Sequence, residues 1–300
     1  MELGYIGLGK MGLNMCLRLK EKGNNIIAFN RSEEGRIEGR NQGLFVADSL
    51  EEMVSKLKAP KTVWIMVSHS GVDAVLDSLV PLLSKGDTII DGGNSPYIET
   101  EKRAVMLAEK GLRFLDAGVS NGPGGARNGA CVMVGGEREL YDEYEKLFAD
   151  IAVPEGYGYM GKSGAGHFVK MVHNGIEYGI MQAIAEGFAV MKKSNFKLDL
   201  KEVVRVYQHK SVIESRLVGW LGSAFDKHGE DLEGISGMVS HSGEGQWTVE
   251  TAKSLGVSAP VIEASFKFRV DSGNNPSYTG KIVSALRNEF GGHDVSEKKG

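Results

Sequence analysis

The chain has 300 residues, 41% of them apolar and 25% charged, with a formal net charge of -4. That length holds one large or two ordinary domains; the slightly acidic balance offers no broad basic field for nucleic acid, and no run of about 18 uncharged apolar residues is present to span a membrane. Two cysteines, Cys16 and Cys131, are too few for a disulfide framework, and "MELGYIGLGKMG" lacks the basic leader of a secretory signal, so a cytoplasmic protein is expected.

In chain order, short β-branched runs at 3–7, 25–30, 62–68, 88–91 and 113–116 predict strands. Stretches at 11–21, 50–57, 71–83 and 97–109 carry helical spacing of apolar residues between them. Strands separated by helices imply crossover connections, and hence a doubly wound parallel α/β sheet of Rossmann type covered on both faces. A strand at 131–134 follows the glycine-rich loop "SNGPGGARNG", and a charged helix spans 137–148. The alternation stops after "VPEGYGYMGKSGAG", and the chain from His167 onward reads as helices with short connectors. The expected domains are a dinucleotide-binding unit over 1–158 and an all-α unit for substrate binding and dimerisation over 159–300. The closing "DVSEKKG" reads as a solvated tail.

"YIGLGKMG" places Gly7, Gly9 and Gly12 in G-x-G-x-x-G spacing between a strand and a helix. Glycine suits a tight turn, a close approach of backbone to a diphosphate, and close helix–strand packing at these three places. The segment Gly7, Leu8, Gly9, Lys10, Met11, Gly12 is therefore the expected dinucleotide turn, with the diphosphate on the free N–H groups of the helix. The next strand ends in "FNRS", so Asn30, Arg31 and Ser32 stand where an NAD-binding carboxylate would sit. A guanidinium pairs with a 2′-phosphate, which favours NADP over NAD.

Ligands of open α/β sheets bind beyond the carboxyl ends of strands. Three loops occupy such ends: "MVSHS" (66–70), "DGGNS" (91–95) with Asn94, and "DAGVSNGPGG" (116–125) with Ser120, Asn121 and Gly122. The helix in "GHFVKMVHNGIEYG" adds a mixed polar face. At about 100° per residue, with Lys170 at zero, Glu177 lies near about -20°, Asn174 about 40°, Tyr178 about 80°, His173 about -60° and His167 about 60°. A surface helix would turn such a face to water, but its usual residues are Glu, Lys, Gln and Ala. Lys170 and Glu177 are two turns, about 10 Å, apart, too far for a helix salt bridge and suited to different carbons of one bound molecule. The six-residue spacing of His167 and His173 is not a zinc pair, so no metal is expected.

Taken together, "IGLGKMG", "NRS", "DGGNS", "GAGHFVKMVHNGIEY", "SGEGQWT" and "SALRNEFGGH" resemble the 6-phosphogluconate dehydrogenases, in a short form. That resemblance implies oxidative decarboxylation of 6-phosphogluconate to ribulose 5-phosphate, with Lys170 as the base at the C3 hydroxyl and Glu177 as the acid at C1. It further implies that Val67, Ser68, His69 and Asn94 meet the cofactor. Asn94, Ser120, Asn121, Gly122, His173, Asn174, Tyr178 and Gln246 would meet the substrate. Either Lys267 or Arg269 serves the phosphate, and Gln246 stands where a basic residue is common. Arg287 and His293 match phosphate-end residues supplied by a partner subunit, implying a homodimer or larger assembly. Competing readings are a non-decarboxylating β-hydroxyacid dehydrogenase, in which Glu177 has no task, and a non-catalytic NADP-binding protein.

Overall fold

A computed structural model describes residues 1–295 and divides the chain into two compact units, Met1–Lys170 and Met171–Gly300. The first contains β1 (Glu2–Ile6), α1 (Lys10–Glu21), β2 (Asn25–Phe29), α2 (Glu33–Asn41), β3 (Phe45–Val46), α3 (Leu50–Ser55), β4 (Thr62–Ile65) and α4 (Val72–Leu79). It continues through β5 (Thr88–Asp91), α5 (Tyr97–Glu109), β6 (Arg113–Ser120), α6 (Gly122–Asn128), β7 (Ala130–Gly136), α7 (Arg138–Ile151) and β8 (Ala152–Gly161). The long helix α8 (Ala165–Lys193) runs through the division. After it come α9 (Leu200–Tyr207), α10 (Arg216–His228), α11 (Glu244–Ser254), α12 (Pro260–Asp271) and α13 (Tyr278–Gly291).

The eight strands form one sheet in the order β3-β2-β1-β4-β5-β6-β7-β8. Alternate strand residues serve opposite faces. Tyr5, Trp64 and Ile90 join α1 and α7 in one core, while Ile6, Ile65 and Ile89 join α3, α4 and α5 in the other. Helices thus cover both faces, which is why β4 and β5 are buried at every position. The second unit has its own core, built from Met181 and Phe188 of α8, Leu221 and Phe225 of α10, and Ile282 and Leu286 of α13. Among the described residues no helix is long and apolar enough to cross a membrane.

Four features depart from expectation. The sheet is not wholly parallel: β7 runs antiparallel to β6, and β8 parallel to β7. The segment 121–129 between β6 and β7 is too short for a parallel crossover, which needs about a dozen residues or more. The expected loop there is strand to Ser120 and then α6, entered through Asn121 at φ 100° with a proline in its first turn. The glycine-rich stretch around the expected domain boundary at 158/159 is itself a strand, β8, whose Tyr157 and Tyr159 pack on the sheet's core. Those aromatics alternate with glycines at a strand's period of two, a pattern hidden by the glycine content. Finally, Val295 packs against the helical core and accepts a hydrogen bond from Ser236 N at 2.8 Å. The rest of the expected tail, 296–300, lies outside the described residues.

Candidate active site

The glycine-rich turn leaves β1 where the strand order reverses, between β1 and β4. Its three glycines answer to three different constraints. Gly7 has φ +103°, and a Cβ there would lie 2.3 Å from Met66 O. A Cβ on Gly12 would lie 1.9 Å from Gly7 O, so α1 packs closely against its own entry turn. Gly9 meets nothing within 4 Å, and no side chain caps α1 behind it. An unobstructed backbone at an uncapped helix N-terminus fits a dinucleotide's diphosphate.

The residues after β2 divide their labour. Asn30 Oδ1 accepts from Leu8 N at 2.9 Å, bracing the turn, and its amide donates to Ser32 Oγ at 3.1 Å. Ser32 caps α2 by accepting from Gly35 N at 3.3 Å. Arg31 is exposed. Sequence reasoning missed Arg36, whose Nη1 donates to the carbonyls of Asn30 and Arg31 at 3.0 and 2.9 Å and so shapes the loop. On β4's side, Val67 Cγ1 lies 3.1 Å from a Cβ built on Gly7, followed by exposed Ser68 and His69.

The paired glycines of "DGGNS" are needed by the fold itself. A Cβ on Gly92 would lie 2.2 Å from Trp64 Nε1, and one on Gly93 2.8 Å from Val67 O. Buried Asp91 holds the loop by accepting from Gly93 N at 3.0 Å and Ser95 Oγ at 2.8 Å, leaving Asn94 exposed. On the next strand, Asn121 turns its amide back to Gly129 O at 3.3 Å, beside partly buried Ser120 and Gly122.

The start of α8 is clamped to the sheet. Asp116 of β6 accepts from Gly164 N at 2.7 Å and His167 N at 2.9 Å, supplying a helix cap from a distant strand. Burial pushes its carboxyl above the ordinary range, against the opposing pull of His167 and the two N–H groups. Gly166 sits where a Cβ would be 2.4 Å from Met133 O. Two residues along β6, Gly118 seats the Lys170 stem: a Cβ there would lie 2.4 Å from Lys170 Cβ. His167 is structural, bonded through Nδ1 to Thr100 Oγ1 at 2.8 Å and through Nε2 to Asp91 O at 3.1 Å. Replacing Asp116 by Asn exchanges one of two acceptors for a donor facing an N–H. That variant should lose about 1–3 kcal/mol of stability in a denaturant titration, and an unchanged midpoint would remove Asp116 from its capping role.

In α8 the polar arc is withdrawn from solvent at His167, Lys170 and Tyr178 and partly so at His173, Asn174 and Glu177. Lys170 is 7% exposed and Tyr178 5%, whereas Ile176 and Ile180 are 51% and 45% exposed. That inversion rules out an ordinary surface helix, whose polar side is solvated. In the second unit, His173 Nδ1 lies 3.0 Å from Asn174 Oδ1 and 3.9 Å from Glu177 Oε2. Arg269 is buried and its guanidinium carbon lies 3.2 Å from the centroid of the Tyr178 ring, while Lys267 is on the surface paired with Asp271. Of the two candidates, α12 therefore brings Arg269 to Tyr178. Burial pushes the Arg269 guanidinium down to about 10, so it remains charged at neutral pH. Arg287 is also buried, donates to Ser240 Oγ at 2.7 Å, and lies in electrostatic range of Tyr178, Glu244 and Glu177 of its own chain. The Tyr178 hydroxyl has no partner in hydrogen-bond geometry, although the Ser242 backbone lies near it, and burial pushes its pKa up. Gln246 is engaged elsewhere, donating to Glu250 at 2.8 Å, and His293 is exposed after α13.

A buried lysine and, two turns on, a glutamate of the same helix, in a chain that also carries a dinucleotide turn, are the equipment of a hydroxyl-oxidising dehydrogenase. The family profile for the NAD-binding domain of 6-phosphogluconate dehydrogenase matches residues 2–161, and that for the same enzyme's C-terminal domain matches 166–281. The chain belongs to the 6-phosphogluconate dehydrogenase family. It is thus an oxidoreductase with an NAD(P)-binding domain. A Bacillus subtilis chain provisionally named 6-phosphogluconate dehydrogenase YqeC is 48% identical over 299 residues, covering 100% of both chains. An NAD(+)-dependent, decarboxylating 6-phosphogluconate dehydrogenase of Haloferax volcanii is 39% identical over 300 residues, covering 99% of each. The solved 6-phosphogluconate dehydrogenase of Plasmodium falciparum, described with its cofactor NADP+ and with its substrate 6-phosphogluconate, superposes with a TM-score of 0.82 at 30% identity. The match covers 100% of this chain and 67% of that one.

Proposed function

We propose that the protein oxidatively decarboxylates 6-phosphogluconate to ribulose 5-phosphate and CO2 with reduction of NADP. The observation that carries this reading is the polar face of α8, which buries Lys170 and keeps Glu177 largely covered two turns away. The turn through Gly7, Gly9 and Gly12 would hold the dinucleotide, which when bound would supply the hydride acceptor for C3. Lys170 takes the proton of the C3 hydroxyl as the hydride leaves, giving a β-keto acid. The protonated amine then stabilises charge on the keto oxygen while the C1–C2 bond breaks and CO2 departs. Glu177 protonates the resulting enediol at the carbon that was C2 of the substrate and becomes C1 of ribulose 5-phosphate, a step a non-decarboxylating dehydrogenase would not need. No metal is required, because the keto group is itself the electron sink.

Arg269 and Arg287 are proposed to hold the phosphate, with His173, Asn174, Tyr178, Asn94, Ser120 and Gly122 at the sugar acid. Asn121 and Gln246 hold weaker claims, since their amides serve Gly129 O and Glu250. The working assembly is proposed to be a homodimer or larger, with exposed His293 reaching a neighbouring subunit. Arg287, on the same C-terminal stretch, is proposed to complete a neighbouring subunit's site together with His293.

For the cofactor, exposed Arg31 and the absence of a carboxylate among Asn30, Arg31 and Ser32 support NADP. Relatives include one named NAD(+)-dependent and one described with NADP+. Titration should show NADP binding more tightly than NAD, and Arg31→Asp should reverse the order; equal affinities in the wild type would end the NADP assignment. The function itself is tested by mixing protein, NADP and 6-phosphogluconate and following reduced nicotinamide absorbance and CO2 together. Reduced cofactor without CO2 would select a plain β-hydroxyacid dehydrogenase. Cofactor binding without either product would mean no catalysis on this substrate.

A further inference from the structure

We propose that Glu244 is the built-in counter-ion of Arg269 and Arg287, from which an arriving phosphate must take these guanidiniums, so that Glu244 sets how tightly anions are held. This rests on the reading of those two arginines as the phosphate seat. Glu244 is 4% exposed, Arg269 3% and Arg287 5%. Charges buried to that degree need compensation close by. The partners that the two guanidiniums contact are weak or neutral: a tyrosine ring and the Met181 sulfur at 3.6 Å for Arg269, and a serine hydroxyl for Arg287. Their charge is balanced instead by carboxylates of the same unit, Glu177 and Glu244, both in electrostatic range of both arginines.

Glu177 has a task in the reaction; Glu244 has none. It is held in place nevertheless. Ser242 Oγ donates to its Oε2 at 2.7 Å, and it occupies the first turn of α11, where the helix dipole favours a negative charge. Its neighbour Gly245 lies flat on the Tyr178 ring, since a Cβ there would be 2.3 Å from Tyr178 Cε2. That contact fixes α11 against the same ring that the Arg269 guanidinium meets. The groups around Glu244 include Tyr178 from α8, His241 and Ser242 from the preceding loop, Arg269 from α12 and Arg287 from α13.

Two guanidiniums and two carboxylates leave the cluster near neutrality before any ligand arrives. A dianion then gains the arginines only against the repulsion of the buried Glu244 carboxylate in a partly desolvated setting. Removing that negative charge while keeping the side chain's size strengthens anion binding. If the carboxylate's role were instead to orient the arginines, the same change would weaken it. The sign of the effect decides between the two.

Sulfate is the suitable probe, because its charge stays constant around neutral pH and its binding needs neither cofactor nor turnover. Calorimetric titration of the intact protein is expected to show Glu244→Gln binding sulfate at least about tenfold more tightly than the wild type, with Glu244→Thr shifting in the same direction. Unchanged or weakened binding in either folded variant overturns the proposal. So does loss of folding in both, which would make Glu244 a structural ion. Sulfate affinity that is unmeasurable in wild type and variants alike would remove the arginine pair as an anion seat. Turnover of 6-phosphogluconate by the wild type tests the parent reading separately.

Discussion

Lys170→Met is expected to lower turnover of 6-phosphogluconate by about 10³-fold while leaving NADP titration unchanged. Methionine preserves the unbranched stem that packs on Gly118 and removes only the amine. Because Lys170 is 7% exposed, its nitrogen is not a solvated surface charge whose loss would pass unnoticed. Lys170→Arg makes the decisive comparison. Arginine keeps the positive charge but cannot give up its proton near neutral pH, so a general base replaced by it stays inactive. Recovery of activity in the arginine variant would show that the position needs a cation rather than a base, and would sink the assignment.

Glu177→Gln should slow steady-state turnover by about 10²-fold or more with substrate affinity changed only a few-fold. Its task falls after hydride transfer and loss of CO2, so the first half of the reaction should survive. Rapid mixing should therefore reveal a burst of reduced cofactor close to the enzyme concentration, followed by a slow phase. A near-normal rate would strip Glu177 of its role. A lost burst would move its action to the oxidation step. His173 lies 3.9 Å from this carboxyl, and Arg269 and Arg287 are in electrostatic range of it.

Local pattern was enough for much of this protein. The expected strands of the first half occur, because β-branched runs between helices have few alternatives once both faces are to be covered. The glycine spacing of 7, 9 and 12 follows from local sterics at a strand–helix turn. The helix from Ala165 and its polar arc are likewise local facts, since a periodicity of 3.6 places Lys170 and Glu177 on one side whatever surrounds them.

Tertiary structure decided what those surfaces face. Ile176 and Ile180 are exposed while Lys170 is buried, because glycines at 118, 135 and 166 let strands and helix approach until backbone, the Asp116 carboxylate and the lysine stem fill the space between them. Asp116 looks like one more residue of a strand until the fold carries Gly164 and His167 to it, 48 and 51 positions away. Arg269 and Lys267 are two residues apart on α12; packing against Tyr178 buries the first, and Asp271 keeps the second at the surface. Chain periodicity specifies which residues share a face. Only the long-range contacts, with the desolvation they impose, determine whether that face meets water or another part of the molecule.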